Sequence, residues 1–173
     1  MNRETIFPIT IGLVDGIITT LMITSGRIVS GVDLSFNHTL RIASGSAIVG
    51  AGSYFVAQYS KMRNEVSRVS KHLNPDKNKP RRSSMERIIL LETAVGTLAA
   101  ALFGFLGSMI PLLSSIIYTS NVYFPFFISL LSLAVLGIFV GKYANGSSLN
   151  WALALLFMGV LVTIVGIYLN IIP

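Results

Sequence analysis

The chain has 173 residues, 53% of them hydrophobic and only 12% charged, with a net charge of +6 and a mean hydropathy of +0.73. Soluble domains carry about 25% charged residues, so the composition excludes an ordinary soluble protein and points to an integral, multi-pass membrane protein. With no cysteine, disulfides, zinc–thiolate sites and iron–sulfur clusters are excluded, and His38 and His72 cannot alone build a multi-histidine metal site.

About 20 apolar residues cross the hydrocarbon core as a helix. Five such spans are predicted, at about 6–29, 40–59, 88–117, 123–140 and 149–172. The fold class is therefore an all-α membrane protein of five transmembrane helices forming a single transmembrane domain over 1–173. The first span, "GLVDGIITTLMITSG" at its heart, reads as a retained helix: its leading residues are weakly charged, and no small-x-small cleavage site follows a short apolar core. The second, "RIASGSAIVGAGSYFVAQYS", carries Ser44, Gly45, Ser46, Gly50, Gly52, Ser53 and Gln58. Small residues at that density let helix backbones approach closely. The third span is long enough to tilt, or to break at Pro111.

Residues 60–87 form a basic connection with Lys61, Arg63, Arg68, Lys71, Lys77, Lys79, Arg81, Arg82 and Arg87. Its first part, "SKMRNEVSRVSKHL", has Met62, Val66, Val69 and Leu73 at helical spacing. An amphipathic helix extending the second span is expected there. "NPDKNKPRRSS" reads as a turn-rich loop, with Ser83 or Ser84 opening the third helix as an N-cap. The fourth-to-fifth connection has Lys142 and the N-terminus Arg3, whereas the other face has only Arg27 and Arg41. The positive-inside rule then places the N-terminus, the 60–87 connection and Lys142 in the cytoplasm. The basic residues lie between apolar spans, so no nucleic-acid partner is expected. Anionic lipid headgroups at the 61–87 region are a partner such a patch fits.

Two carboxylates fall at membrane depth, Asp15 and Glu92. Asp15 lies about nine residues past the first apolar residue, or roughly 14 Å along the helix. A carboxylate at the centre of a span costs about 2.5–3.5 kcal/mol on insertion scales, and such groups mark ion or proton paths. Thr19 lies one turn on, on the same face, and Gly12 and Gly16 flank Asp15. No enzyme constellation is present: the chain lacks GxSxG, HExxH, a P-loop and a Gly-rich dinucleotide turn. It is not expected to be an enzyme.

At "GLVDGIITTL" the chain resembles the vacuolar iron transporter family, whose first helix carries Gly-Leu-x-Asp-Gly followed by threonine. "AIVGAGSYFVAQYS" resembles that family's second helix, "FLGSMIPLL" its Gly-x-x-Ile-Pro-Leu-Leu pattern, and "LGIFVGKYANGSSLNWALALLFMGVLVTIVGIYL" its last two helices. The resemblance implies a homodimer that exports Fe²⁺ or Mn²⁺ from the cytoplasm in exchange for protons. Its metal path is formed largely by the first two helices, and Asp15 matches the metal-contacting aspartate. This chain has Tyr54 where the family has a liganding methionine, and Ser46 and Gln58 where it has glutamates. Its connection is basic where the family's is rich in Glu and Met. The expected metal donors are therefore Asp15, Thr19, Ser46, Ser53, Tyr54 and Gln58, with Glu92 a possible second intramembrane acid. Such hard oxygens suit Mn²⁺, Mg²⁺ or Ca²⁺ as well as Fe²⁺. The metal is expected as substrate, with no permanently bound cofactor, and the membrane as the plasma membrane if the source is prokaryotic. The alternative expectations are a non-transporting protein of the same fold with a structural, lipid-binding or regulatory role, or a transporter of another solute.

Overall fold

The computed structural model describes residues 3–30, 35–72, 79–117, 123–143 and 146–169, and the side chains of 6–26, 35–68, 86–117, 123–143 and 146–169. Within them lie five helices and no strand: α1 (Arg3–Ser30), α2 (Phe36–His72), α3 (Lys79–Ile117), α4 (Phe124–Tyr143) and α5 (Ser148–Leu169). All five are long and apolar enough to cross a membrane. This is the architecture of an integral multi-pass protein, in which each helix satisfies its own backbone hydrogen bonds.

The ends of the helices depart from the expected spans in informative ways. α2 runs unbroken for 37 residues to His72, about 55 Å at 1.5 Å per residue, well beyond a hydrocarbon core of about 30 Å. Met62 and Val66 are half-buried while Lys61, Arg63 and Arg68 are exposed, so its last turns are amphipathic. α3 opens at Lys79, not at Ser83 or Ser84, which lie inside the helix. Pro80 in its first turn accounts for the early start, since a proline there sacrifices only a donor that has no helical partner. The rest of the expected loop, residues 73–78, lies outside the described residues. Pro111 does not break α3, which continues to Ile117.

α1 is the central helix and touches all four others. Against α3 the approach is backbone to backbone. A Cβ on Gly12 would meet the Ala100 carbonyl and, at 3.0 Å, the Gly104 nitrogen; one on Gly16 would meet the Gly104 carbonyl and, at 2.9 Å, the Ser108 nitrogen. Gly107 of α3 lies likewise against Leu13, its Cβ position 2.6 Å from that carbonyl. On its other side α1 packs Ile17 and Leu21 against Leu133 of α4, all fully buried, with Phe126, Leu130 and Leu155 around them.

Hydroxyls inside the bundle turn back on their own helices. Thr20 donates to the Gly16 carbonyl (2.7 Å), Thr24 to Thr20 (2.8 Å), Ser129 to Pro125 (2.6 Å) and Thr163 to Gly159 (2.9 Å). Such back-bonding satisfies polar groups without water. Phe7 pairs with Tyr54 and Thr93 with Met62, and Val140 and Trp151 line a cleft with Phe7. The start of α1, the end of α2, the start of α3 and the α4–α5 turn thus share one end of the bundle, the end that carries Lys61, Arg63, Arg68, Arg87 and Lys142.

Gly16→Ala is expected to destabilise the protein by about 1–3 kcal/mol, because the added methyl meets α3 backbone that cannot move aside alone. Gly45, with nothing within 4 Å of its Cβ position, is expected to accept alanine with no loss. Thermal melting of the two purified variants in detergent checks the contrast.

Candidate functional site

Asp15 stands out by its surroundings. Among carboxylates with described side chains, Glu65, Glu86 and Glu92 are exposed and Asp15 alone is half-buried. The Gly12/Gly16 seam fixes how α1 is rotated, and at roughly 100° per residue Asp15 falls about 80° around from that seam. That direction is toward α2. There the carboxylate lies so close to Gly50 that a Cβ on that residue would collide with Oδ2. Gly50 makes the room that the acid occupies. Among the described residues, no cation pairs with Asp15 and no donor hydrogen-bonds to it.

The α2 face around Gly50 carries two of the expected donors, one turn to either side. Ser46 is buried, and among the described residues its hydroxyl has no hydrogen-bond partner; Thr39, farther along, shares that condition. Tyr54 is buried as well. Its ring lies 6.3 Å from that of Phe7, tilted by 51°, and its hydroxyl sits 2.6 Å from the Cβ position of Gly96 on α3. Gln58 is half-buried one turn beyond, and Thr19 is half-buried one turn past Asp15. Ser53 is exposed although it lies only about 60° around α2 from Gly50, and Glu92 is exposed on α3 one turn before Gly96. The fold therefore gathers Asp15, Ser46 and Tyr54 around Gly50, leaves Ser53 exposed, and keeps the exposed Glu92 within electrostatic reach of Tyr54.

On its other side Asp15 borders a cleft of about 390 Å³ between α1, α4 and α5, lined also by Phe7, Thr10, Val14, Val140 and Trp151. Phe7 and Trp151 are exposed at its rim. Thr10, Trp151 and Gly50 are not candidates on sequence reasoning, because their relation to Asp15 runs between helices and leaves no spacing signal within one.

No group of three or more His, Cys, Asp or Glu side chains converges among the described residues. Among the described residues one chain thus presents a single half-buried carboxylate with neutral oxygens around it. Comparison with models of protein families, with curated proteins and with solved structures finds no match for this chain.

An unpaired, half-buried carboxylate is costly where it stands. Asp15→Asn is therefore expected to leave the melting temperature in detergent at pH 7 unchanged or to raise it. A drop of several degrees would mean that the acid holds a structural partner.

Proposed function

We propose that the chain is a membrane transporter of divalent metal cations, Fe²⁺- or Mn²⁺-like, and not an enzyme. In this reading it exports metal from the cytoplasm in exchange for protons, and Asp15 is the exchange group. The single observation that carries the reading is Asp15 itself: a carboxylate at span depth, set against Gly50, with no cation or donor satisfying it among the described residues. The resemblance of "GLVDGIITTL" and "FLGSMIPLL" to the vacuolar iron transporter family supports the choice of metal.

Charge balance supports a homodimer. Two positive charges entering low dielectric need two negative ones nearby, and each chain offers one half-buried carboxylate. Two chains with their Asp15 residues facing a common path supply both, with the Ser46 hydroxyl and Thr19 as neutral donors. When the dication leaves, two bare carboxylates side by side repel, so the pair takes up a proton. That couples metal release to proton uptake. α2 is suited to face a partner. Its mean hydropathy is 1.2, against at least 2.0 in the other spans, and Gly45 and Gly52 stand open with Ser44 and Ser53 exposed beside them. The basic end of the bundle supports a topology with the N-terminus in the cytoplasm.

A second reading is favoured by one observation. Exposed Lys61, Arg63, Arg68 and Arg87 crowd the end of the bundle where a captured cation would enter. They would repel a dication and attract anionic headgroups, as a lipid-binding or regulatory protein would.

Flux into proteoliposomes with an internal pH dye, across Fe²⁺, Mn²⁺, Co²⁺, Mg²⁺ and Ca²⁺, tests the first reading. Metal movement with opposing proton movement is expected, lost in Asp15→Ala. Absence of flux for every metal, with a melting temperature raised by anionic lipid and not by metal, would establish the second reading instead.

A further inference from the structure

The cleft between α1, α4 and α5 runs along the helices. Its α1 wall extends from Phe7 to Ile18, about 16 Å at 1.5 Å per residue. A hydrocarbon core is about 30 Å thick, so the cleft covers the depth of one leaflet, at the basic end of the bundle. Thr10 and Asp15 bring the only side-chain oxygens among its described lining residues, and the Asp15 carboxylate lies against Gly50 on α2. The other lining side chains are aliphatic or aromatic. Val14, Ile18, Val140 and Leu155 are half-buried, while Phe7 and Trp151 are exposed. The cleft is thus a groove open along its side. An acyl chain fills such a groove and leaves no polar group of its own unsatisfied. Charge marks the mouth. Trp151 lays its ring on the cleft and holds its indole nitrogen at the α4–α5 turn, 2.9 Å from the Cβ position of Gly146. A tryptophan with an apolar body and one polar edge suits the level of the headgroups. Arg3 stands one turn before Phe7 in α1. By the helical period it falls on the side of α1 from which Leu21 meets α4, whereas Glu4 falls on Asp15's side, toward α2. Lys142 is exposed in the last turn of α4.

We propose that the α1–α4–α5 cleft is a binding site for an anionic phospholipid, with one acyl chain along the α1 wall from Phe7 to Ile18 and the phosphate held at the mouth by Arg3 and Lys142. The site is separate from the metal reading, because the Asp15 carboxylate turns to α2. It is separate also from the basic residues of α2 and α3 on which the lipid-binding alternative rests.

Trp151 is the only tryptophan in the chain and lines the cleft, so quenching of its fluorescence by lipid brominated in the upper part of one acyl chain reads the occupant. The full-length protein is reconstituted in phosphatidylcholine with rising fractions of brominated phosphatidylglycerol, or of brominated phosphatidylcholine as the zwitterionic comparison. Phosphatidylglycerol is expected to reach half-quenching at a mole fraction about fivefold lower or more, the scale of one surface cation. Arg3→Gln with Lys142→Gln is expected to remove that preference, and so is Val140→Phe, which fills the groove. A second reporter keeps the test specific to the cleft. Leu153 is exposed on α5, about 160° around the helix from Trp151. In Trp151→Phe with Leu153→Trp the two lipids are expected to quench alike. An equal preference at both reporters, the mark of a general anionic annulus, overturns the proposal, as does the absence of any preference at Trp151. Trp151 fluorescence that neither lipid quenches overturns it too, and would mean that another protein surface covers the cleft. None of these outcomes depends on metal flux, so this proposal and the metal reading fall separately.

Discussion

The contact between α1 and α3 is the constraint from which the rest of the bundle follows. At Gly12, Gly16 and Gly107 the two backbones lie closer than any side chain would allow. In an apolar solvent, helices gain little by burying hydrocarbon from one another, and close backbone approach with its dispersion contacts takes over. Because α1 also touches α2, α4 and α5, its rotation against α3 sets what each of its other faces meets. Ile17 and Leu21 go to Leu133, Met22 and Ser25 lie against Gly166 of α5, and Asp15 goes to the boundary between α2 and the cleft.

That placement separates two kinds of polar group. Thr20, Thr24, Ser129 and Thr163 are buried and satisfied within their own helices, so they cost the bundle little and need no partner. Asp15 and Ser46 have no such recourse. An aspartate carries no proton to donate to the preceding turn when ionised, and the Ser46 hydroxyl meets no acceptor among the described residues. Unsatisfied groups one turn apart on facing helices form a local weakness in the structure. Retaining such a weakness makes physical sense where a ligand completes it.

α2 holds the balance between stability and function. Gly50 admits the carboxylate, Tyr54 wedges against Gly96 and Phe7, and the outward face with Gly45 and Gly52 is left open. It is also the least lipophilic of the five spans. The acid thus sits between a polar, small-residue wall and an apolar, aromatic one.

Much of this was legible in the chain. Five apolar runs of sufficient length require five helices, because no other open structure satisfies its backbone in lipid, and the anomaly of Asp15 is visible in one line of sequence. The continuation of α2 through Met62 and Val66 follows from their helical spacing. Other features needed the fold. The N-cap expected at Ser83 or Ser84 gave way to a start at Lys79, where Pro80 takes the first turn. Among the expected donors, Ser46 and Tyr54 came to lie around Gly50 while Ser53 was left exposed, although all three looked equivalent as polar residues in one apolar run. Sequence by itself determined the class, the number of helices and the residue out of place, since those depend on composition and period within one segment. Tertiary structure alone decided what surrounds Asp15, because the approach of α1 to α3, the gap at Gly50 and the cleft beside Trp151 arise from contacts between helices that no spacing along one helix records.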